Sequence, residues 1–538
     1  MIQINETRTA GGHTLAMRVL ALLWWTLLSL GAWGQAPSPA PSPLAPEAFP
    51  AAQASPSPEA LPAPQASPAP EASPAPQPSP APGTAILEGD LRLRGESWDW
   101  FEPVAPLQDD YTFGHARLRA RLGYREPKSF EGMVEVQGVQ LLGLPDNAIG
   151  PAPVGQMGPG AILYNHAGQS DFSSLGLRQA YLKVGDPDRF QAQMGRMEFG
   201  SAAEIMPKDP TLAWLKRTRL KDRLIGTFDF SPFARTFDGL RLDGDTGELH
   251  LTGFVAIPTQ GGFEPDFQTE LNQNLISDLS ITFKNGALLS DGEAQLFWVH
   301  ADDDRNVPQV DNRPPARRGL IGAEGGDHID TVGGHFIHKL GENGDALLWY
   351  AHQSGSWGQQ THRADAFSAE LGYKFKETGW EPWLRGGYSY YSGDANPNDN
   401  VHGTFVAPLP TIRLYALTPF YTESNLQDLF VQLMLKPGDQ TTARLEFHNL
   451  RLAQAADLWY VGAGPTRRTL INGYAGRPSG GNTGLANLVD IGVEHQFDSN
   501  HKLSAYFGHV FGGAVIQSSF PANPNGNFFF LEYNFKLP

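Results

Sequence analysis

The run Ile86-Leu87-Glu88-Gly89-Asp90-Leu91-Arg92-Leu93-Arg94-Gly95-Glu96 carries a charge at every even position from 88 to 96 and Leu or Gly at every odd position from 87 to 95. Successive side chains of an extended strand leave by opposite faces, so this segment has one charged face and one apolar face. Consecutive ionised groups cannot face a packed core without a heavy desolvation cost, so the charged face requires water. The other face requires a continuous apolar medium, either a protein core or lipid.

The pattern recurs along the chain. Arg117, Arg119 and Arg121 alternate with Ala116, Leu118, Ala120 and Leu122; Arg444, Glu446 and His448 alternate with Ala443, Leu445 and Phe447. Glu494 and Gln496 alternate with Val493 and Phe497, with His495 on the apolar side. Strands are predicted near 85–96, 113–124, 130–140, 175–184, 190–197, 237–243, 247–256, 275–284, 288–300, 327–338, 344–355, 362–374, 380–391, 427–436, 440–451, 486–496, 501–511 and 526–535. These are about eighteen strands, each near the ~10 residues that a tilted membrane strand needs. Turns at 125–129, 185–189, 244–246, 339–343 and 437–440 are tight and rich in Gly, Pro, Asp or Asn. The connections 141–174, 198–236, 301–326, 392–426 and 452–485 on the other rim are long. A soluble sandwich has no reason to segregate its loops in this way, whereas outer-membrane barrels do. Lipid also demands closure, because every backbone amide must be paired. The expected fold is therefore all-β: a single closed antiparallel transmembrane β-barrel over 84–538, with short periplasmic turns and long extracellular loops, in the outer membrane of a Gram-negative bacterium. The aromatic alternation of the last strand, Phe529, Leu531, Tyr533 and Phe535, is of the kind that barrel-insertion machinery reads.

Residues 1–35 are expected to be a signal peptide, with Met17 as the alternative start, because Val19 to Trp33 is apolar, follows Arg18 and precedes small residues. That run is short for a helical membrane span. Residues 36–83 are Pro, Ala, Ser, Gln and Glu almost throughout, and no core can form from them; an extended, disordered linker is expected. The absence of Cys excludes disulfides, thiolate metal sites and a cysteine-anchored lipid. A net charge of −17 argues against nucleic acid as a partner.

Two segments resemble a known family. One is Ala180-Tyr181-Leu182-Lys183, then Met194-Gly195-Arg196-Met197-Glu198-Phe199-Gly200 and Arg235-Thr236-Phe237-Asp238-Gly239-Leu240-Arg241-Leu242. The other is Ser392-Gly393-Asp394-Ala395-Asn396-Pro397-Asn398-Asp399-Asn400, continuing into His402-Gly403-Thr404-Phe405. Both resemble the alginate-export outer-membrane proteins, although Met197 stands where members commonly have Gln. The resemblance spans roughly Thr84 to Phe535 and implies an eighteen-stranded barrel that exports anionic polysaccharide.

By the alternation, Arg92, Arg94, Arg117, Arg119 and Arg121 share the lumen wall of two adjacent strands, while Arg241, Arg385 and Arg444 face inward elsewhere. Glu88, Asp90 and Glu135 line the same wall. Guanidinium groups stay charged and pair bidentately with carboxylates. A ladder of weak Arg sites would let a uronate chain, or small anionic solutes, pass without sticking. Alternatively, the arginines pair with Glu88, Asp90, Glu131 and Glu135 and stiffen the wall. The basic run holding Lys216, Arg217, Arg219, Lys221 and Arg223 fits either a gate folded into the lumen or a contact with lipopolysaccharide phosphates. No resident cofactor is expected; Asp302-Asp303-Asp304, and Asp394 with Asp399, offer oxygen ligands for Ca²⁺ in loops, without EF-hand spacing. No nucleophile elbow, zinc-protease motif or phosphate loop is present, and an enzyme is not expected. The competing functions are an envelope-tethering or assembly barrel, whose Pro-rich arm meets a cell-wall or periplasmic partner, and a glycan-cleaving enzyme. The expected partners are outer-membrane lipid and lipopolysaccharide, anionic polysaccharide or small anions, and the barrel-insertion machinery.

Overall fold

A computed structural model describes residues 83–537, except 323, 412–415 and 469–472. The expected signal peptide, and the linker apart from Gly83, lie outside the described residues.

Eighteen long strands make one closed antiparallel barrel. In chain order they are β1 Thr84–Asp99, β2 Asp110–Glu126, β3 Phe130–Leu142, β4 Phe172–Asp186, β5 Phe190–Met197, β6 Phe237–Asp245, β7 Leu249–Pro258, β8 Asn274–Phe283 and β9 Gly292–Pro308. They continue as β10 Glu324–Leu340, β11 Gly344–Trp357, β12 Gln360–Lys374, β13 Trp383–Tyr391, β14 Leu426–Gly438, β15 Thr441–Leu452, β16 Gly484–Gln496, β17 His501–Gly512 and β18 Gly526–Leu537. Each strand pairs with the next, and β1 pairs with β18 through Leu91↔Phe535 and Trp98↔Phe528, so the sheet has no free edge.

The alternation resolves as lipid outside and charge inside. Leu87 (76% exposed), Leu118, Leu122, Val134, Leu182, Met194, Leu296, Leu348, Leu371, Leu429, Leu445, Ile491 and Leu531 point outward and are exposed. An apolar belt of this extent belongs in a bilayer. Tyr124, Tyr373, Phe375, Trp380 and Phe497 are exposed beside the short turns, where an interfacial aromatic girdle is expected.

Turns at 127–129, 187–189, 246–248, 284–291, 341–343, 375–382, 439–440 and 497–500 occupy one rim. Every connection on the other rim is longer except that between β11 and β12 at 358–359. Two strands start three or four residues later than the sequence reading: β9 begins at Gly292 and β13 at Trp383, because Gly286 and Asp291, then Trp380 and Glu381, adopt positive φ and complete wider turns. Residues 301–308, read as loop, extend β9, and β10 already begins at Glu324. Ala301-Asp302-Asp303-Asp304-Arg305 lacks the apolar alternation, but backbone pairing across Ala301↔Ile329 and Asp303↔Asp327 continues. An apolar face is needed only at lipid depth.

The bore is occupied by its own loops. From the 198–236 connection, Leu212, Leu215, Leu220, Leu224, Ile225, Phe228 and Phe233 are buried. From the 392–425 connection, Phe405, Val406, Leu409 and Phe420 are buried with them. The two connections pair through Gly226 N–H to Leu409 O (2.8 Å) and Leu409 N–H to Leu224 O (2.9 Å).

Candidate functional site

Across β1 and β2 the register sets Arg92 opposite Arg117, Asp90 opposite Arg119 and Glu88 opposite Arg121. All the even-numbered side chains of β1 from 88 to 96 share the inner face, as the alternation requires. Arg92, Arg94, Arg117 and Arg119 are buried from solvent, whereas Glu88 and Arg121 nearer the short-turn rim are more open. Like charges so closely placed need counterions, and three sources supply them.

The first source is the wall itself. Arg117 and Arg121 donate to Asp90 at 3.3 and 3.1 Å, Arg121 also bonds Glu135, and Arg125 bonds Glu131. The second is β18, where Glu532 accepts from Arg94 at 2.7 Å and lies 3.5 Å from Arg92. The third is Asp229, from the 198–236 connection. Phe228 holds φ 55°, a costly conformation for an aromatic residue, and the chain turns there to send Asp229 into the arginine cluster. Its carboxylate accepts from Arg92 at 3.1 Å and Arg117 at 2.9 Å, bonds Arg119, and lies 3.8 Å from Arg178. Burial pushes the Asp229 pKa up, but Arg117, Arg119, Arg92 and Arg178 overcome that effect and hold it well below the usual carboxylate range. The Asp229 side chain is still 39% exposed, so this carboxylate meets the open part of the bore. Glu198, bonded to Arg178, is likewise held low by the guanidiniums against burial.

Sequence reading missed Asp229, Arg178, Glu198 and Glu532 as members of this cluster. Asp229 lies in an aperiodic loop and carries no local signal. Arg178 does carry one. In β4 the outward residues are Leu175 and Leu177, then Leu182 and Val184, a switch of parity at adjacent Arg178-Gln179. The register shifts there, between Glu135↔Gln179 and Val136↔Leu177. This bulge turns Arg178 inward, fully buried, to donate to Glu135 at 3.0 Å.

The remaining inward arginines lie apart and are paired. Arg241 donates to Asp243 (2.8 Å) and to the Glu204 carbonyl (3.2 Å), Arg385 bonds Asp345 and Glu370, and Arg444 lies 3.0 Å from Glu446.

The basic run folds into the bore. Helix α1, Pro210–Leu215, begins with Asp209 accepting from the Thr211 and Leu212 amides, with Pro at the first helical position. A π-turn over Lys216–Leu220 follows. Lys216 reaches Glu293 on β9 at 2.5 Å, Arg219 reaches Glu370 on β12 at 3.1 Å, and Arg223 donates to Ser368 and Tyr391. Lys216, Arg219 and Arg223 are therefore buried inside the barrel and cannot meet lipopolysaccharide; Arg217 is exposed and Lys221 is part-exposed. Below α1, at the short-turn rim, a cavity of about 450 Å³ is lined by Lys339, Lys374, Lys376, Lys436, Trp214 and Trp383 among others. Lys374 Nζ lies 3.9 Å over the Trp383 ring and donates to Thr211 at 2.8 Å.

The aspartates considered for Ca²⁺ do not converge. Asp302 faces His300 and His328 at 3.0 and 2.8 Å, while Asp303 accepts from Arg305 at 2.7 Å. Asp394 accepts from the Asn396 amide and Asp399 from the Val401 amide, as turn residues do.

Residues 108–529 match the alginate export family. This chain belongs to the alginate export family. No curated protein matches the sequence. Among solved structures, OccAB2 of Acinetobacter baumannii shares 10% identity at a TM-score of 0.50, over 84% of this chain and 98% of that one. The outer membrane protein opdK of Pseudomonas aeruginosa shares 10% identity at a TM-score of 0.47, over 84% and 99%. At such identity the likeness to OccAB2 is one of fold. Family and fold together make the protein an outer-membrane channel of a Gram-negative bacterium.

Proposed function

We propose that this alginate-export barrel passes anionic polysaccharide, a polyuronate, or small anionic solutes passively along the arginine cluster of β1, β2 and β4. The observation that carries the reading is the convergence of Arg92, Arg117, Arg119 and Arg178 on the single loop carboxylate of Asp229. Asp229 occupies the position that a carboxylate of a passing chain would take, and a loop can withdraw where a wall residue cannot. Guanidinium forks recognise carboxylates in two-point geometry, and several such sites in series let a polyanion exchange partners stepwise. The lysine- and tryptophan-lined cavity at the short-turn rim supports the same reading, since it offers ammonium groups for carboxylates and ring faces for sugars. The bore's Arg–carboxylate pairs also stiffen the wall, so the two roles of the arginines are compatible.

Planar-bilayer recording tests the proposal. Oligouronate added to one side is expected to block the current of the unmodified protein, and a neutral oligosaccharide of equal length is not. Replacing Arg117, Arg119 and Arg121 together by Gln is expected to abolish the block and lower anion selectivity. Asp229→Asn is expected to raise anion selectivity and to weaken loop docking by about 1–3 kcal/mol, below the scale for fully buried pairs because Asp229 is part-exposed. Equal block by the neutral chain, or an unchanged block in the triple variant, rejects the reading.

A further inference from the structure

Three strands round the wall from β1, by way of β18 and β17, β15 and β16 place Glu446 directly across from Asp490, with His448 two residues further along β15. All three face inward and are at most 1% exposed. Among the described residues this is the cluster whose three ligand atoms all lie within 4.8 Å of one another.

The hydrogen bonds around it are incomplete in a particular way. His448 Nδ1 lies 3.0 Å from Asp428 on β14. In the neutral ring, donating there leaves the lone pair on Nε2, and Nε2 is buried without a partner. Neither carboxylate oxygen of Asp490 meets a donor. Glu446 is anchored, with one oxygen bonded by Gln432 and the other 3.0 Å from Arg444 Nε but out of line for a hydrogen bond. Arg219 stands 4.0 Å away. A buried carboxylate with no donor is costly, and here it lies with Glu446 and His448 at a spacing that one ion could bridge.

We propose that Glu446, His448 and Asp490 bind one divalent cation, with Zn²⁺ the best match. A carboxylate–histidine–metal relay is the arrangement in which outer carboxylates orient a histidine ligand, and Asp428 has that position. One imidazole and two carboxylates suit a borderline ion better than a purely oxygen-seeking one. The ion would join β15 to β16 and offset Glu446, Asp490 and Asp428, which outnumber Arg444 and Arg219 at this point. The site shares no residue with the Asp229 cluster and does not depend on what the channel carries.

Full-length protein without a histidine tag, purified from outer membranes in detergent and stripped with chelator, is titrated with Zn²⁺ by calorimetry. One equivalent is expected to bind. Asp490→Asn and His448→Gln are expected to lose that equivalent, and Asp428→Asn, which keeps every ligand, to weaken it by about 10–100-fold. Zinc K-edge absorption of the unmodified protein is expected to show one imidazole, with the other ligands oxygen, at about 2.0–2.2 Å. Absence of stoichiometric zinc, unchanged affinity in folded variants, or a spectrum with two or more imidazoles overturns the site. The spectrum needs no variant, so a ligand substitution that blocks folding leaves the proposal decidable.

Discussion

Asp222 shows how a single buried carboxyl couples the plug to pH. It sits at the end of the basic run, accepts from Thr411 at 3.2 Å, and its own carbonyl accepts the Thr411 amide at 2.9 Å. Burial raises its pKa to about 7, with the nearby Lys221 charge opposing that shift. An unfolded Asp titrates near ~3.9, so between about pH 4 and 7 the docked loop holds a proton that the undocked loop has released. Docking is therefore strongest below that window and weakens by a few kcal/mol at most as pH rises through it. Hydrogen exchange at the Leu409 and Thr411 amides is expected to quicken from pH 4 to 7 beyond its intrinsic rate. Asp222→Asn should flatten that excess; an equally steep profile in the variant rules the mechanism out. Asp229, only seven residues further on, behaves oppositely: its pKa is depressed, so its contribution persists above about pH 4 and is lost only in stronger acid.

At the level of elements, the plug is held by pairs whose partners sit on different strands. Lys216 and Glu293 are both almost fully shielded at 2.5 Å. Lys216→Met leaves Glu293 with His335 as its remaining ion-pair partner among the described residues, the His335 Nε2 lying 3.6 Å away. Breaking one side of a shielded pair costs about 3–5 kcal/mol, and the loss should fall on loop docking because Glu293 stays on its strand. Single-channel traces of Lys216→Met are therefore expected to show larger and noisier open current at unchanged barrel stability. A quiet, unchanged trace would mean that α1 is held by its apolar side chains alone. The eighteen strands themselves were legible from their alternation; the β4 bulge was missed, although a switch in parity at Arg178-Gln179 marks it. Ala301–Pro308 was not, because a strand above the lipid no longer needs the apolar face that betrays it.

For the described residues the governing contrast is a charged, loop-filled bore against a lipid-facing exterior. Leu348 lies on the outer belt and is exposed. Leu348→Arg is expected to cost about 2–4 kcal/mol if it lies near the bilayer midplane. Reversible folding into lipid vesicles measures this, and a cost near zero would place Leu348 outside the membrane. The family assignment and fold agree with the outer-membrane reading of the strand pattern. The acidic sum of the chain, −17, proved a poor guide to the bore, where the arginines of β1, β2 and β4 gather on one wall.

Period-two alternation and segregated loop lengths determined the barrel, its strand count and its two faces, and with them the shared face of β1 and β2 on which Arg92, Arg94, Arg117, Arg119 and Arg121 stand. Those properties follow from chain geometry and from the demand that lipid makes on every backbone amide, so they are written locally. Which carboxylate answers those arginines, and whether the basic run of the 198–236 connection lies inside or outside, only the tertiary structure decided. Asp229 meets Arg92 across 137 residues of sequence, and no periodicity records a contact made by an aperiodic loop. The same holds for Asp428, His448 and Asp490, whose meeting depends on the register of three strands.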